Sequence, residues 1–370
     1  MGFGPPFLPP NCSCASGPVE ITFLSAVGPR PTNPKYCGEL ERHHQLSGRD
    51  CIINNGQMYR LKIMLARLAQ FIAHYSGVST RRAGAGSGGR ILMYHGVGVA
   101  DCRADVFESQ IRFLTEHFQI VSLSDMVTGV QKQPEELDGK IALTFDDGLR
   151  NNFTVAYPVL KKYRAPATFF ICPGLIDRGA WLWNVEARCR MKSLAAGELS
   201  RLADGLGRFG ASPNQVVDWM KTLPFESRRH VEEVIRRETR TFTPGERLRS
   251  ENDLMSWDEV RQLDPALISI GAHTTNHPIL KHCTPEELTA EVSECGQRIE
   301  DHIHRPVEHF CYPNGDFNET VVRYTEKNYR AAVTTQPGYV RGGASVHQLP
   351  RIGSTHNLTY LSWRLHRPFS

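Results

Sequence analysis

An apolar run leads directly into two adjacent carboxylates in the stretch Ile141-Ala142-Leu143-Thr144-Phe145-Asp146-Asp147-Gly148. A short apolar run that ends at a turn signal predicts a buried strand, and Gly148 permits a sharp exit from it. Neighbouring carboxylates repel one another, and a cation bound to one of them relieves the repulsion while the other stays ionised as a base. On its own, Asp-Asp-Gly is also a frequent turn.

Similar apolar runs alternate with helical patterns from position 90 onward, which predicts βα units around a largely parallel sheet or barrel. Two helix starts are marked by a hydroxyl residue three positions before a glutamate, and they place helices at Trp257 and Pro285. The candidate strands cover residues 91–95, 141–145, 167–172, 267–272, 309–312, 331–335 and 349–352.

Residues 178–251 break this alternation with charged, helix-favouring sequence, which predicts a helical insertion between two strands. An insertion that follows a strand lies on the face where βα loops build active sites. It therefore either shapes a substrate groove or is a structural appendage.

The front of the chain has a different composition. Residues 1–57 are rich in Pro, Gly, Asn and Cys without an apolar period, so we expect a disordered leader. The abrupt change at Met58 raises the alternative that translation starts there and that the leader is a gene-model artefact. Residues 58–75 predict a basic amphipathic helix, which lies either on an anionic membrane surface or against the main domain. Residues 81–90 predict a flexible linker, so that 58–89 precede a domain at 90–370.

The composition excludes several classes of protein. The 370 residues are 40% hydrophobic and 22% charged, which is ordinary globular usage. A dispersed net charge of +4 argues against nucleic acid as a partner. The ten cysteines form no paired C-x-x-C framework, which favours a reducing compartment. Because neither a membrane span nor a secretory signal is evident, we expect a cytoplasmic protein, with peripheral contact to the inner membrane face through 58–75 as the open alternative.

Two imidazoles four positions apart, His273 and His277, follow the predicted strand at 267–272. The spacing alone proves little in a chain with 15 histidines, and a coincidental surface pair is the simpler alternative. The position is more informative, because barrel enzymes assemble catalytic groups at the carboxyl ends of their strands. Two histidines and one carboxylate would make a metal site that keeps an open position for water.

These motifs resemble a known family. Residues 144–148 and 273–277 are similar to the first two motifs of the polysaccharide deacetylases, carbohydrate esterase family four. The resemblance extends over about 90–352, with residues 91–95 similar to the first strand of the exopolysaccharide branch. It implies a distorted, incomplete (β/α) barrel of about seven strands. It also implies metal-dependent hydrolysis of N-acetyl groups on an amino-sugar glycan.

The resemblance assigns roles to individual residues. Asp146 would be the general base, and the backbone amide of Asn314 would donate to the oxyanion. Zinc is the first expectation for the metal, because mixed nitrogen and oxygen ligands with open coordination suit it, while cobalt, nickel and manganese remain alternatives. The implied metal ligands are Asp147, His273 and His277.

The sequence departs from the family pattern at two positions. Cys311 stands where many members carry the arginine that orients the catalytic aspartate, and Arg351 stands where many carry a histidine acid. We expect Arg351 to supply the guanidinium to Asp146, because the pairing needs a planar donor fork rather than a given chain position. His95 is the predicted acid, with a buried core histidine as the alternative. The departures leave two rival functions open: hydrolysis of another amide, imide or O-acetyl ester, and a non-catalytic carbohydrate-binding role.

Overall fold

The structure is a computed structural model that describes residues 48–85, 88–100 and 102–367, with only the backbone described for 48–60. The chain divides after Gln57, and all the strands belong to the second unit, Met58–Ser370. The disorder predicted for 1–47 lies outside the described residues. None of the described helices combines the length and the apolar content that crossing a bilayer requires.

Eight strands form one sheet in which every strand pairing is parallel. The order across the sheet is β7-β6-β5-β4-β3-β1-β8, with β2 also paired to β3. This open, curled arrangement confirms the predicted incomplete barrel. The strands are β1 Arg90–Tyr94, β2 Gln119–Val121, β3 Lys140–Phe145, β4 Ala167–Ile171, β5 Ile268–Ala272, β6 His309–Cys311, β7 Ala331–Val333 and β8 Ile352–Gly353.

All seven predicted strands are present, and the sequence analysis missed β2. With only three residues, β2 is too short to be recognised as an apolar run. It pairs with the start of β3, and β4 pairs with the end of β3. The last strand is displaced relative to the prediction of 349–352. Leu349 instead forms an isolated bridge with Val333, and β8 begins at Ile352.

The helices cover the sheet and form the insertion. The predicted helical insertion is confirmed as α7 to α11, and capping boxes at Ser256 and Thr284 confirm the two predicted helix starts. The α-helices are α1 Gly48–Tyr75, α2 Val78–Gly84, α3 Ala104–His117, α4 Leu123–Lys132, α5 Tyr157–Tyr163, α6 Pro173–Arg178, α7 Trp183–Lys192, α8 Ala196–Gly205, α9 Pro213–Met220, α10 Phe225–Glu238, α11 Glu246–Asn252, α12 Trp257–Gln262, α13 Pro285–Leu288, α14 Glu294–Ile303, α15 Glu319–Asn328 and α16 Leu358–Arg364.

Two helices lie at the front of the described chain. Helix α1 covers Gly48–Tyr75, which includes the basic amphipathic helix predicted for residues 58–75. Residues 81–84, expected in a flexible linker, complete α2. Ser79 and Ala83, four positions apart, are both fully buried, so tertiary packing holds this short helix in place.

Side-chain alternation along β3 directs polar groups to the inner face of the sheet. Leu143 and Phe145 join the large apolar cluster beneath the helices, whereas Ala142 belongs to a smaller cluster on the other face. Because strand side chains alternate with a period of two, Thr144 and Asp146 share the face of Ala142. The inner face thus carries a polar row that ends in a carboxylate.

Candidate metal centre

The three predicted ligand side chains converge at the carboxyl ends of β3 and β5. Asp147 Oδ1 lies 3.4 Å from His273 Nε2 and 3.5 Å from His277 Nε2. All three ligand atoms lie within 4.8 Å of one another. Ligands at ~2.0 to 2.2 Å from a shared ion are at most about 4.4 Å apart, so the Asp147 separations fit one divalent cation.

Both imidazoles direct Nε2 toward Asp147. His273 Nδ1 lies 2.7 Å from the carbonyl oxygen of Cys311, so Nδ1–H donates to it and Nε2 faces Asp147. Burial, together with the charge of His273, lowers the pKa of His277 to about 3, which keeps that ring neutral. Burial alone would raise the pKa of Asp147, but the neighbouring imidazoles hold it below its usual range. Burial alone would lower the pKa of His273, but Cys311 and the carboxylates of Asp147 and Asp146 hold it well above its usual value, so a cation bound here would replace the proton on Nε2. The donor set would then be two neutral nitrogens and one anionic oxygen.

The backbone is strained where it presents these groups. Asp147, Thr274 and His277 have φ values of 73°, 64° and 57°, in the left-handed region that side chains disfavour. Each such residue costs on the order of 1–3 kcal/mol and persists only where the surrounding structure holds it. One such restraint is the 2.9 Å hydrogen bond that the His277 N–H donates to Thr274 Oγ1.

The helical insertion restrains the same loop, which the sequence analysis did not foresee. Trp183 Nε1 donates a 2.9 Å hydrogen bond to the carbonyl oxygen of His277. The guanidinium carbon of Arg228 lies 4.5 Å from the centre of a Trp183 ring and restrains the indole by a cation–π contact. Glu291 accepts from both the backbone and the side-chain amide of Asn276. No local pattern in the sequence marks these residues, because each acts across a long sequence separation.

Asp146 is held by Arg351 through two hydrogen bonds. Nη1 and Nη2 each lie 2.7 Å from a different carboxylate oxygen, and Nε donates to the carbonyl oxygen of Thr334 at 2.7 Å. Arg351 is 1% exposed. Burial would raise the pKa of Asp146, but the charge of Arg351 outweighs it and keeps that pKa below its usual range. Arg351 thus supplies the guanidinium to Asp146, as the sequence analysis predicted.

Cys311 completes this charge pair. Its Sγ lies 3.4 Å from Asp146 Oδ2 and 3.1 Å from Arg351 Nη2. Burial raises the pKa of the thiol, so Cys311 is a neutral neighbour. Its side chain therefore contacts the Asp146 carboxylate while its carbonyl oxygen orients His273.

The two remaining predicted site residues lie at strand ends. The side chain of His95 is 50% exposed, and its Nε2 lies 4.0 Å from Asp146 Oδ2, so it is not the buried core histidine of the alternative reading. Asn314 follows β6 with a φ of 55°. Among the described residues, its backbone N–H donates to no backbone carbonyl outside the short turn Pro313–Gly315.

A cavity of about 750 Å³ lies between the insertion and the loop that carries His277. Aromatic rings and guanidinium groups contribute to its walls, with Asn276 at the border of the metal centre. Six of the lining residues are Trp181, Trp183, Phe225, Arg228, Phe242 and Asn276.

Comparison with known proteins gives one consistent result. The sequence profile of the polysaccharide deacetylase family matches residues 134–332, more than half of the chain. That range includes the three candidate ligands and Asp146 but leaves out His95 and Arg351. YxkH of Bacillus subtilis (strain 168), whose name assigns it provisionally to the polysaccharide deacetylases, is 21% identical over 267 residues, which cover 71% of this chain and 70% of YxkH.

Two solved structures share the fold. The Streptococcus pyogenes deacetylase PplD, determined in complex with acetate, aligns with a TM-score of 0.52 and 19% identity over 76% of this chain and 98% of PplD. IcaB from Ammonifex degensii aligns with a TM-score of 0.50 and 16% identity over 75% of this chain and 98% of IcaB. At these identities the likeness concerns the fold.

Proposed function

Because the chain belongs to the polysaccharide deacetylase family, we propose that it hydrolyses N-acetyl groups on an amino-sugar glycan with a divalent metal held by Asp147, His273 and His277. The observation that carries this proposal is the convergence of the three ligand atoms beside an aspartate that Arg351 holds ionised. Zinc is the metal that this mixed donor set favours.

The reaction requires a nucleophile, an acceptor for its proton and a donor for the leaving amine. A bound divalent ion would polarise the acetyl carbonyl and lower the pKa of water. Asp146 accepts the proton of the attacking water. Arg351 keeps this carboxylate ionised and fixes its plane, while each carboxylate oxygen retains a lone pair for the proton. The low pKa of Asp146 weakens it as a base, so the geometry of the pair contributes more than basicity does.

The second half of the reaction breaks the carbon–nitrogen bond. The amine leaves with the bonding electron pair and needs a proton, which His95 is placed to deliver because its exposed ring adjoins Asp146. The Asn314 N–H donates to the oxygen that becomes negative when water adds to the carbonyl carbon. The products are acetate and a free amine on the sugar.

The cavity beside the metal centre is the proposed location for glycan residues next to the reacting sugar. Its aromatic rings offer faces for sugar rings, and its guanidinium and amide groups offer donors to hydroxyl oxygens. On this proposal the insertion shapes a substrate groove.

Metal analysis coupled to acetate release tests the function. Purified full-length protein is assayed on acetylated chitooligosaccharides and on acetylxylan, before and after chelation, with metal content measured by mass spectrometry. We expect one bound metal ion, release of acetate from the amide substrate, and loss of both after chelation. The exposed variant Asp258→Asn serves as a control and should retain both. Release of acetate from acetylxylan but not from the chitooligosaccharides would show that the substrate is an ester rather than an amide. Release of acetate that survives complete metal removal would refute the mechanism.

A further inference from the structure

Helix α1 carries most of the exposed large apolar side chains in the part of the chain that the structure describes. Eight of the ten large apolar side chains exposed there belong to α1, and the other two are Val78 and Phe209. Single exposed apolar residues are normal on protein surfaces, whereas a contiguous set marks an interaction site.

Seven of these side chains share one face of the helix, because they recur three or four positions apart. Their exposed fractions range from 48% to 70%. At 1.5 Å per residue they extend over ~21 Å of helix. We name this set the apolar stripe; it comprises Leu61, Met64, Leu65, Leu68, Phe71, Ile72 and Tyr75.

The helix is attached to the domain by a different face. His74 Nδ1 lies 3.0 Å from Ser362 Oγ, and its ring centre lies 5.3 Å from that of Phe113. At 100° per residue, His74 is well away from the middle of the apolar stripe. The last turn of α1 therefore fixes the helix while the stripe remains exposed.

The charges that α1 itself carries along the stripe have a single sign, although Glu116 of α3 lies near its Tyr75 end. Residues 51–100 contain no aspartate or glutamate, although the whole chain has 39. On the helical projection Lys62 lies beyond one edge of the stripe and Arg67 beyond the other, and Arg81 and Arg82 follow in α2. A second copy of this face would bring like charges together, which disfavours self-association.

We propose that the apolar stripe docks α1 on an anionic phospholipid surface, with the helix lying in the plane of the headgroups. An apolar face bordered by lysine and arginine is the chemistry of an interfacial helix. The apolar side chains enter the boundary of the acyl chains while the basic side chains contact headgroup phosphates. This surface-bound arrangement does not depend on the proposed function.

Sedimentation of the full chain with lipid vesicles tests the proposal. The probes are vesicles of phosphatidylglycerol and phosphatidylcholine in equal amounts, and vesicles of phosphatidylcholine alone. We expect the protein to sediment with the first and to bind the second far more weakly. The double variant Leu68→Glu, Phe71→Glu should lose at least about tenfold in affinity, because it places carboxylates in the apolar stripe. Phe209→Glu is the matched control, because Phe209 is 83% exposed but lies outside α1, and it should bind like the parent.

A charge variant and a measurement of self-association complete the test. Lys62→Glu with Arg67→Glu should weaken binding to the anionic vesicles about thirtyfold while leaving acetate release from soluble oligosaccharides unchanged. Failure of the parent protein to bind the anionic vesicles would overturn the proposal. Sedimentation velocity without lipid measures self-association. A dimer that the double variant in the apolar stripe dissociates would also overturn the proposal, because the stripe would then be an interface between copies of this chain.

Discussion

Arg351 and Asp146 face one another through two hydrogen bonds of equal length, and both side chains are almost completely buried. The guanidinium also reaches Thr144 Oγ1 at 3.0 Å and the Cys311 thiol. A buried pair of this kind fixes the plane of the carboxylate, because neither partner can turn without leaving a charge unpaired.

Replacement of Arg351 by lysine should separate orientation from charge. Arg351→Lys keeps a cation near Asp146, but one ammonium group cannot reproduce the planar fork that binds both oxygens. We expect kcat for acetate release to fall about a hundredfold while metal content stays stoichiometric. The exposed substitution Arg261→Lys is the control. Parental kcat in Arg351→Lys would show that the fork does not position the base.

Substitution of the two neighbouring aspartates should reduce activity for different reasons. Asp147→Asn removes the anionic oxygen from the donor set and should weaken metal binding, whereas Asp146→Asn should keep the metal and lose ~10²- to 10⁴-fold in turnover. Metal content and single-turnover acetate release, measured on the same preparations, distinguish them. Parental turnover by Asp146→Asn with full metal content would exclude Asp146 as the base.

Trp183, which lies in the helical insertion, should contribute to the affinity for the metal. Trp183→Phe keeps a ring beneath Arg228 but removes the hydrogen bond to the His277 carbonyl oxygen. Loss of such an outer contact typically costs ~10- to 100-fold in metal affinity, which a competition titration with a chromophoric chelator can measure. Trp219→Phe, in the same insertion, is the matched control. Equal affinity in both variants would mean that His277 needs no support from the insertion.

His309 should make stability depend on pH. It is 2% exposed, and burial lowers its pKa to about 4 from 6.5. Below pH 6.5 the unfolded chain therefore binds a proton that the folded chain refuses until about pH 4. The stability is fully present above the unfolded value and falls by about 3 kcal/mol as the pH drops through this window.

Urea denaturation across this window, for the parent protein and for His309→Leu, measures the difference. The variant should lose the His309 part of the pH dependence, while the exposed control His356→Leu should keep it. Identical slopes in the parent and in His309→Leu would contradict the prediction, because other titrating groups are common to both proteins.

Local sequence patterns predicted the elements whose determinants are local. Apolar runs located seven strands, and strand ends located Asp146 and His273, whereas Asn314 came from the resemblance to the family. The start of β2 and the packing of Ala83 depend on partners distant in sequence, so no window of residues contains them. The contact between Trp183 and the loop of His277 is of the same kind, because it exists only once the insertion is folded against the sheet.

The residues around Arg351 join the two ends of the sheet as well as holding Asp146. Leu349 bridges Val333 of β7, and Ile352 pairs with Leu92 of β1. Because a ribosome makes the chain from its N-terminus, every strand from β1 to β7 is synthesised before Arg351 emerges. A nascent chain therefore exists for a time with all the proposed metal ligands but without the guanidinium that holds Asp146. The candidate centre can be completed only once these last residues, which also join the ends of the sheet, have been synthesised.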